Sequence, residues 1–237
     1  MWAIWKREVQ AYFYQPIAYV MIGLFFLISS IYFTMGTVYY GRAAEINSLL
    51  QNVIFLFMFI IPILTMRILT EDRKNGTEVL LVTSPASITQ IVIGKFLASF
   101  TVFLVMFAST LIYVVILYIL GGKPEVPMLI GGYLAFLLIG ASFISVGIFA
   151  SSLTENQIVA AIISFVILLL VNLLDAIISF TSGIFAKILD AFSLLSRYND
   201  MNSGILDFTS IIYYLSFTAV FLFLTTRVID KRRWSQG

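Results

Sequence analysis

A chain with no histidine and no cysteine must rest any chemistry on carboxylates, amines, guanidiniums and hydroxyls. That excludes Ser-His and Cys-His nucleophiles, HExxH zinc sites, thiolate metal centres and His-ligated haem. The charges that remain are concentrated. In 66-MRILTEDRKNGTEVLLVTSP-85, Arg67, Glu71, Asp72, Arg73 and Lys74 form one short run, and Glu78 follows. No carboxylate pair and no Gly-x-Gly-Asp stands in the middle of an apolar run, as an intramembrane hydrolase would need. A phosphate-cradling loop needs GxxxxGK followed by Ser or Thr. Gly94-Lys95 is followed by Phe96, and Thr89 stands where the first glycine belongs. The chain is therefore expected to be non-catalytic, with no metal site of its own.

The elements that carry this charged run are set by composition. The chain has 237 residues, 61% of them hydrophobic and only 11% charged, with a mean hydropathy of +1.03. Soluble domains carry about 25% charged residues, so the bilayer is the solvent. Long unbroken apolar runs, rather than alternation, select helices over a barrel. A net charge of +2 is too small to suggest nucleic acid as a partner. Lys6, Arg7 and Glu8 precede a long span with no early cleavage site, so a cleavable signal peptide is not expected.

Charges divide the chain into six spans, at about 17–39, 47–67, 92–120, 128–151, 157–176 and 208–228, each near or above the roughly 20 residues that cross a bilayer. The fold class is all-α, a single polytopic domain over 1–237. Ten of the fourteen basic residues fall on the side that carries both termini, and Arg42, Lys123, Lys187 and Arg197 on the other. The positive-inside rule places both termini in the cytoplasm, and Trp2, Trp5 and Trp234 lie at that face. Ahead of span one, Trp2, Trp5, Val9, Tyr12 and Phe13 recur at helical steps while Lys6, Arg7 and Gln10 take other faces. That predicts an interfacial amphipathic helix over 1–15, with Pro16 turning the chain into the membrane.

Between spans two and three lies a segment, 68–90, predicted to be cytoplasmic. Asn75-Gly76 is a turn signal, Thr77 suits the cap of a short helix, and Glu78 suits its first turn. Val79, Leu80, Leu81 and Val82 make that helix apolar, Pro85 ends it, and Ser87 with Gln90 forms a capping box for span three. Exposed apolar surface rimmed by charge marks a partner site. A snorkelling loop that satisfies the positive-inside rule fits the same residues.

The run EDRKNGTEVLLVTSPASITQIVIGKF resembles the segment joining spans two and three in ABC-2 type permeases, the membrane subunits of type V ABC transporters. The resemblance lies in Glu71, Asp72, Arg73, Gly76, Thr77, Glu78, Leu80, Leu81, Ser84, Pro85, Gly94 and Lys95. The first helix is similar to that family's elbow helix. The C-terminal stretch SRYNDMNSGILDFTSIIYYLSFTAVFLFLTTRVIDKRRW is similar to the ends of its short six-span members, such as the gliding-motility and copper-maturation permeases.

The resemblance implies a coupling helix at 68–90 that contacts separate ATPase subunits, which bind ATP and Mg2+. It also implies a second permease subunit, either a copy or a relative, with a path between the two. It implies spans one, two and five lining that path, and short re-entrant helices over it within 177–207. The direction it implies is export from the cytoplasmic membrane. The 4–5 loop, SSLTENQ, would offer a second, minor contact.

Ile184, Ile188, Leu189, Phe192 and Leu195 have an amphipathic pattern compatible with re-entrant helices or with a surface helix packed on the bundle. Asn172 and Asp175 are the candidate pathway residues. Their place near the outer end of span five favours a structural or interfacial role over cargo binding. Small-residue pairs such as Ala141/Ser145 and Gly147/Ser151 permit close helix packing. A passive channel, a proton-coupled carrier, which would place an ionisable group at the midplane, and a non-transporting immunity, sensory or accessory protein are the alternatives.

Overall fold

The computed structural model describes residues 1–39, 46–77, 86–180, 183, 190 and 192–235; the side chains of 37–39, 175, 176, 179, 180 and 233–235 are outside that description. Among the described residues the chain is helical apart from short turns and links, with a π-helical stretch at Thr34–Tyr39 besides the α-helices. In chain order the helices are α1 (Trp2–Tyr14), α2 (Pro16–Phe33), α3 (Ile46–Thr65), α4 (Arg67–Lys74), α5 (Ile88–Ile119), α6 (Val126–Leu153), α7 (Gln157–Phe180), α8 (Leu194–Asn202) and α9 (Phe208–Ser235). Six of these are long and apolar enough to cross a membrane, with α3 and α4 counting together as one run, Ile46–Lys74.

Local sequence explains most boundaries. Gln15 is extended between α1 and α2, with Pro16 opening α2. A residue before proline is pushed out of the helical region, and proline is tolerated in a first turn. The capping box read from Ser87 and Gln90 is present: the Ser87 hydroxyl accepts from the Gln90 amide and the Gln90 side chain from the Ser87 amide. Gly121, at φ +82°, makes the tight turn before α6.

The two central helices are α3 and α6, with 72% and 78% of their apolar windows buried, against 17% to 33% for the other four spans. They cross closely because Gly147 has no side chain; a methyl there would overlap Thr65. About two turns away along α3, Phe57 stacks on Phe25 of α2 at 5.2 Å and packs on Phe103 of α5 and Phe136 of α6. Sparse polar links add specificity within the apolar layer. Tyr113 meets Ser29 at 2.8 Å, and Tyr133 donates to the Thr110 carbonyl at 3.0 Å.

The charged run is helical, not a loop. Met66, with helical backbone angles, interrupts the helix for one residue, and α3 and α4 form one run out to Lys74. Ser151 of α6 holds the junction: its hydroxyl donates to the Met66 carbonyl at 3.2 Å and accepts from the Leu69 amide at 3.0 Å. The chain then turns at Asn75-Gly76, with Gly76 at φ +69°.

Candidate functional site

One end of the bundle collects the charges. There Lys95, about two turns into α5, is 1% exposed. Its ammonium lies 3.0 Å from Glu8 of α1, donates to the Ile68 carbonyl at 2.7 Å, and forms an ion pair with Asp72 of α4. The side chains of Glu8 and Asp72 are only 12% and 15% exposed. A buried ammonium needs such partners because the low-dielectric interior does not solvate it. Arg7 extends the cluster, 2.5 Å from Glu8 and 3.9 Å from Asp72. Burial alone would lower the Arg7 guanidinium, but its hydrogen bond to Glu8 and the fields of Glu8 and Asp72 carry it above its ordinary value.

A second layer surrounds this centre. Arg67, 6% exposed, pairs with Glu71 at 3.2 Å and donates to Gln15, with its guanidinium 5.3 Å from the centre of the Tyr12 ring. The Tyr12 hydroxyl donates to the Leu64 carbonyl at 2.8 Å and meets Ser99 at 3.2 Å. Burial pushes this phenol well above its ordinary range. Arg73 reaches Glu155, between α6 and α7, at 2.8 Å. Arg232 of α9 donates to the Ser152 carbonyl at the end of α6. A cavity of about 250 Å³ opens beside Arg7, Tyr12, Gln15, Glu71 and Asp72.

Local sequence explains why α1 can reach this site. Trp5, Tyr12 and Glu8 lie on the face of α1 that meets α5, and Trp5 donates to Thr101 at 3.0 Å. Gly94 leaves room for the approach: a methyl there would sit 3.1 Å from Ile4. Gly94-Lys95 thus works as a pair, the glycine admitting α1 and the lysine holding it.

The opposite end is held by neutral groups. Asn47 of α3 donates to the carbonyls of Met128 in α6 and Asn202 in α8. Asn202 donates back to Asn47 at 3.4 Å, and Gln51 donates to Asn199 at 3.0 Å. Gly131 and Gly132 admit α8, since a methyl on Gly131 would overlap the Met201 carbonyl. Tyr214 of α9 donates to the Leu194 carbonyl at 2.6 Å, fixing the start of α8.

The model of the ABC-2 family transporter protein family matches residues 2–234. This chain belongs to the ABC-2 transporter family. It is a multi-pass membrane protein and a permease subunit of an ABC transporter. No curated protein matches it.

In this ABC-2 permease, several residues marked by the sequence come together. Glu71 is paired with Arg67, Asp72 with Lys95 and Arg73 with Glu155. Gly76 makes the turn. The Thr77 hydroxyl donates to the Asp72 carboxylate at 2.8 Å, which ties the chain after the turn back onto α4. Glu78, Leu80, Leu81 and Pro85 lie outside the described residues.

Trp2 packs on Trp5 with ring centroids 4.3 Å apart and the rings tilted by 33°. Lys6 is exposed, and the side chain of Trp234 is outside the description. Asn172 donates to the Leu168 carbonyl of its own helix at 2.8 Å. The backbone of Asp175 is helical, and its side chain is outside the description. Ile184, Ile188 and Leu189 also fall outside it, whereas Leu195 lies in α8, which packs on α6 and α7.

Glu8, Tyr12, Gln15 and Ser99 were not singled out as site residues, and Lys95 only as part of a pattern. A signal existed. Glu8 and Tyr12 share one face of α1 by their spacing of four, and Gln15 follows directly after the helix. Lys95 is a lone cation at the start of an otherwise apolar helix.

Proposed function

We propose that this permease is one half of an ATP-driven exporter in the cytoplasmic membrane. It pairs with a second permease, a copy or a relative, above two separate ATPase subunits that bind ATP and Mg2+. Both termini face the cytoplasm. The ATPases contact α1 through Trp2, Trp5, Lys6 and Arg7. They contact the charged segment through Glu71, Asp72, Arg73, Gly76, Thr77, Glu78, Leu80, Leu81 and Pro85.

The observation that carries this reading is the buried Lys95, held between Glu8 and Asp72. It joins α1, α4 and α5 into one mechanical unit. A displacement of α4 by a partner cannot leave α1 or α5 behind without stranding a charge in a buried site, which is costly. Because α3 and α4 form one run, Ile46–Lys74, the same displacement is delivered to α3 at the centre of the bundle. ATP-driven closure of the ATPases would therefore rock each permease as a body and open a path between the two.

The exposed apolar residues Ile158, Ile162 and Val166 of α7, with Phe55 and Phe59 of α3, offer the surface for that path or for the second subunit. Such a lining suits a hydrophobic or amphipathic cargo. Asn172 and Asp175 would stand at its far end.

The test is co-purification of the chain with its ATPase from detergent-solubilised membranes, wild type against the Glu78→Arg, Leu80→Asp double variant. Association with the wild type that is lost in a folded double variant supports docking at this segment. No ATPase on the wild type, or equal amounts on both, would overturn it.

A further inference from the structure

A groove of about 610 Å³ runs between the start of α5 and the end of α9, at the same end of the molecule as the Lys95 site but apart from it. Its lining changes along its length. Val92 and Ile93 of α5 with Ala219, Leu222 and Phe223 of α9, farther from the ends of the two helices, make one part apolar. Ser87, Thr89, Thr226, Arg227 and Asp230 make the mouth polar.

Two opposite charges stand at that mouth, three residues apart on α9 and so on one helix face. Among the described residues neither Arg227 nor Asp230 forms an ion pair. Arg227 is instead held over the Phe223 ring, 4.9 Å from its centre. A guanidinium placed over a ring keeps its in-plane N–H donors available, and such a fork matches phosphate.

The depth of the groove matches the interface. Thr226 to Asp230 come where the apolar window of span six gives way to the basic C-terminal turn. An occupant must therefore have an apolar body lying against Val92 and Phe223. Its head must present a negative group to Arg227 and a positive one to Asp230. An anionic lipid satisfies the cation but meets the Asp230 carboxylate with like charge. A zwitterion with a primary ammonium satisfies both, and the ammonium can donate hydrogen bonds to the carboxylate.

We propose that this groove is a binding site for a zwitterionic aminophospholipid, a phosphatidylethanolamine-type molecule. Its phosphate lies on Arg227, its ammonium on Asp230 and one acyl chain in the apolar part between α5 and α9. The site does not depend on ATPase docking. It places a lipid against the first turn of α5, two turns before Lys95 in the same helix.

The experiment is lipid titration of the full-length protein in detergent, read by native mass spectrometry. The probes are phosphatidylethanolamine, phosphatidylcholine and phosphatidylglycerol of matched chains. The variants are Arg227→Gln and Asp230→Asn, each checked for wild-type helicity and thermal unfolding. The wild type is expected to retain phosphatidylethanolamine over phosphatidylcholine by about three- to fivefold, the scale of one partly exposed ion pair. Asp230→Asn should abolish that preference while leaving phosphatidylcholine bound. Arg227→Gln should weaken both.

Equal retention of all three lipids by the wild type would mean annular lipid only and would overturn the proposal. So would a preference for phosphatidylglycerol that Asp230→Asn leaves unchanged, which would mark a plain anion site.

Discussion

At one end of the bundle, α1 and α4 are held to α5 by a lysine between two carboxylates. At the other, α8 is held to α3 and α6 by asparagine and glutamine amides and backbone carbonyls. The charged joint is buried and the amide joint only half-buried, and both lean on glycines that let helices approach. They differ in what happens when one partner leaves. An amide that loses its acceptor leaves a neutral group to be solvated, at about 1–3 kcal/mol. A lysine removed from between carboxylates leaves net charge in a site with little water. The charged joint therefore transmits force well and tolerates loss badly, while the amide joint suits a cover that has only to stay in place. The charges also gather on the side where the chain is proposed to meet its motor.

The largest expected effect comes from breaking the charged joint on one side. Lys95→Met should destabilise the protein by about 3–5 kcal/mol, the usual result of leaving buried charge unpaired. The measurement is denaturant or thermal unfolding in detergent. The triple variant Lys95→Met, Glu8→Gln, Asp72→Asn should recover most of that loss, because all three charges are then removed. If the triple variant is no better than the single one, the joint is held by something other than charge pairing.

Next comes the amide joint. Gly131→Ala should cost about 1–3 kcal/mol, since the new methyl overlaps the Met201 carbonyl and pushes α8 outward. Asn47→Leu should cost about 1–2 kcal/mol through the loss of two donated bonds. Limited proteolysis after residue 202 should increase in both, with the Lys95 end unaffected. A loss as large as that of Lys95→Met would erase the distinction between the two ends.

A pH series separates the joints further. The buried Tyr12 phenol is raised above its ordinary value of 10.0, chiefly by burial. In the unfolded chain the phenol ionises first. The stability this group contributes is therefore complete below about pH 10 and falls as pH rises above it. Tyr12→Phe should lie about 1 kcal/mol below the wild type at neutral pH. The gap should narrow in strongly alkaline solution, as followed by unfolding between pH 8 and 11.

The smallest effect is expected at the edge of the charged site. Arg73 and Glu155 are 27% and 60% exposed, and Arg73→Gln should change stability by no more than about 0.5 kcal/mol. Any larger consequence should appear in ATPase association, because this pair joins α4 to the loop between α6 and α7.

Much of this architecture is present in local sequence. Six spans follow from runs of apolar residues long enough for a bilayer, and the turn at Asn75-Gly76 and the Ser87–Gln90 cap follow from residue types a few positions apart. The small-residue pair Gly147/Ser151 was a weak cue that the structure explains, Gly147 admitting Thr65 and Ser151 holding the α3–α4 junction. Other features were not legible. Glu8 and Lys95 are separated by 87 residues, and Asn47 and Asn202 by 155.

Hydropathy and capping act over a turn or two of helix, so the sequence alone determined an all-helical membrane protein, its spans and the position of its charged segment. Which charges share a site depends on how helices far apart in the chain pack together. Only the tertiary structure could decide that Lys95 faces Glu8 and Asp72 rather than lipid headgroups. The physical reason is burial: a lysine at a membrane edge is free to snorkel into water, and it becomes a joint only where neighbouring helices exclude that water and supply its counter-charges.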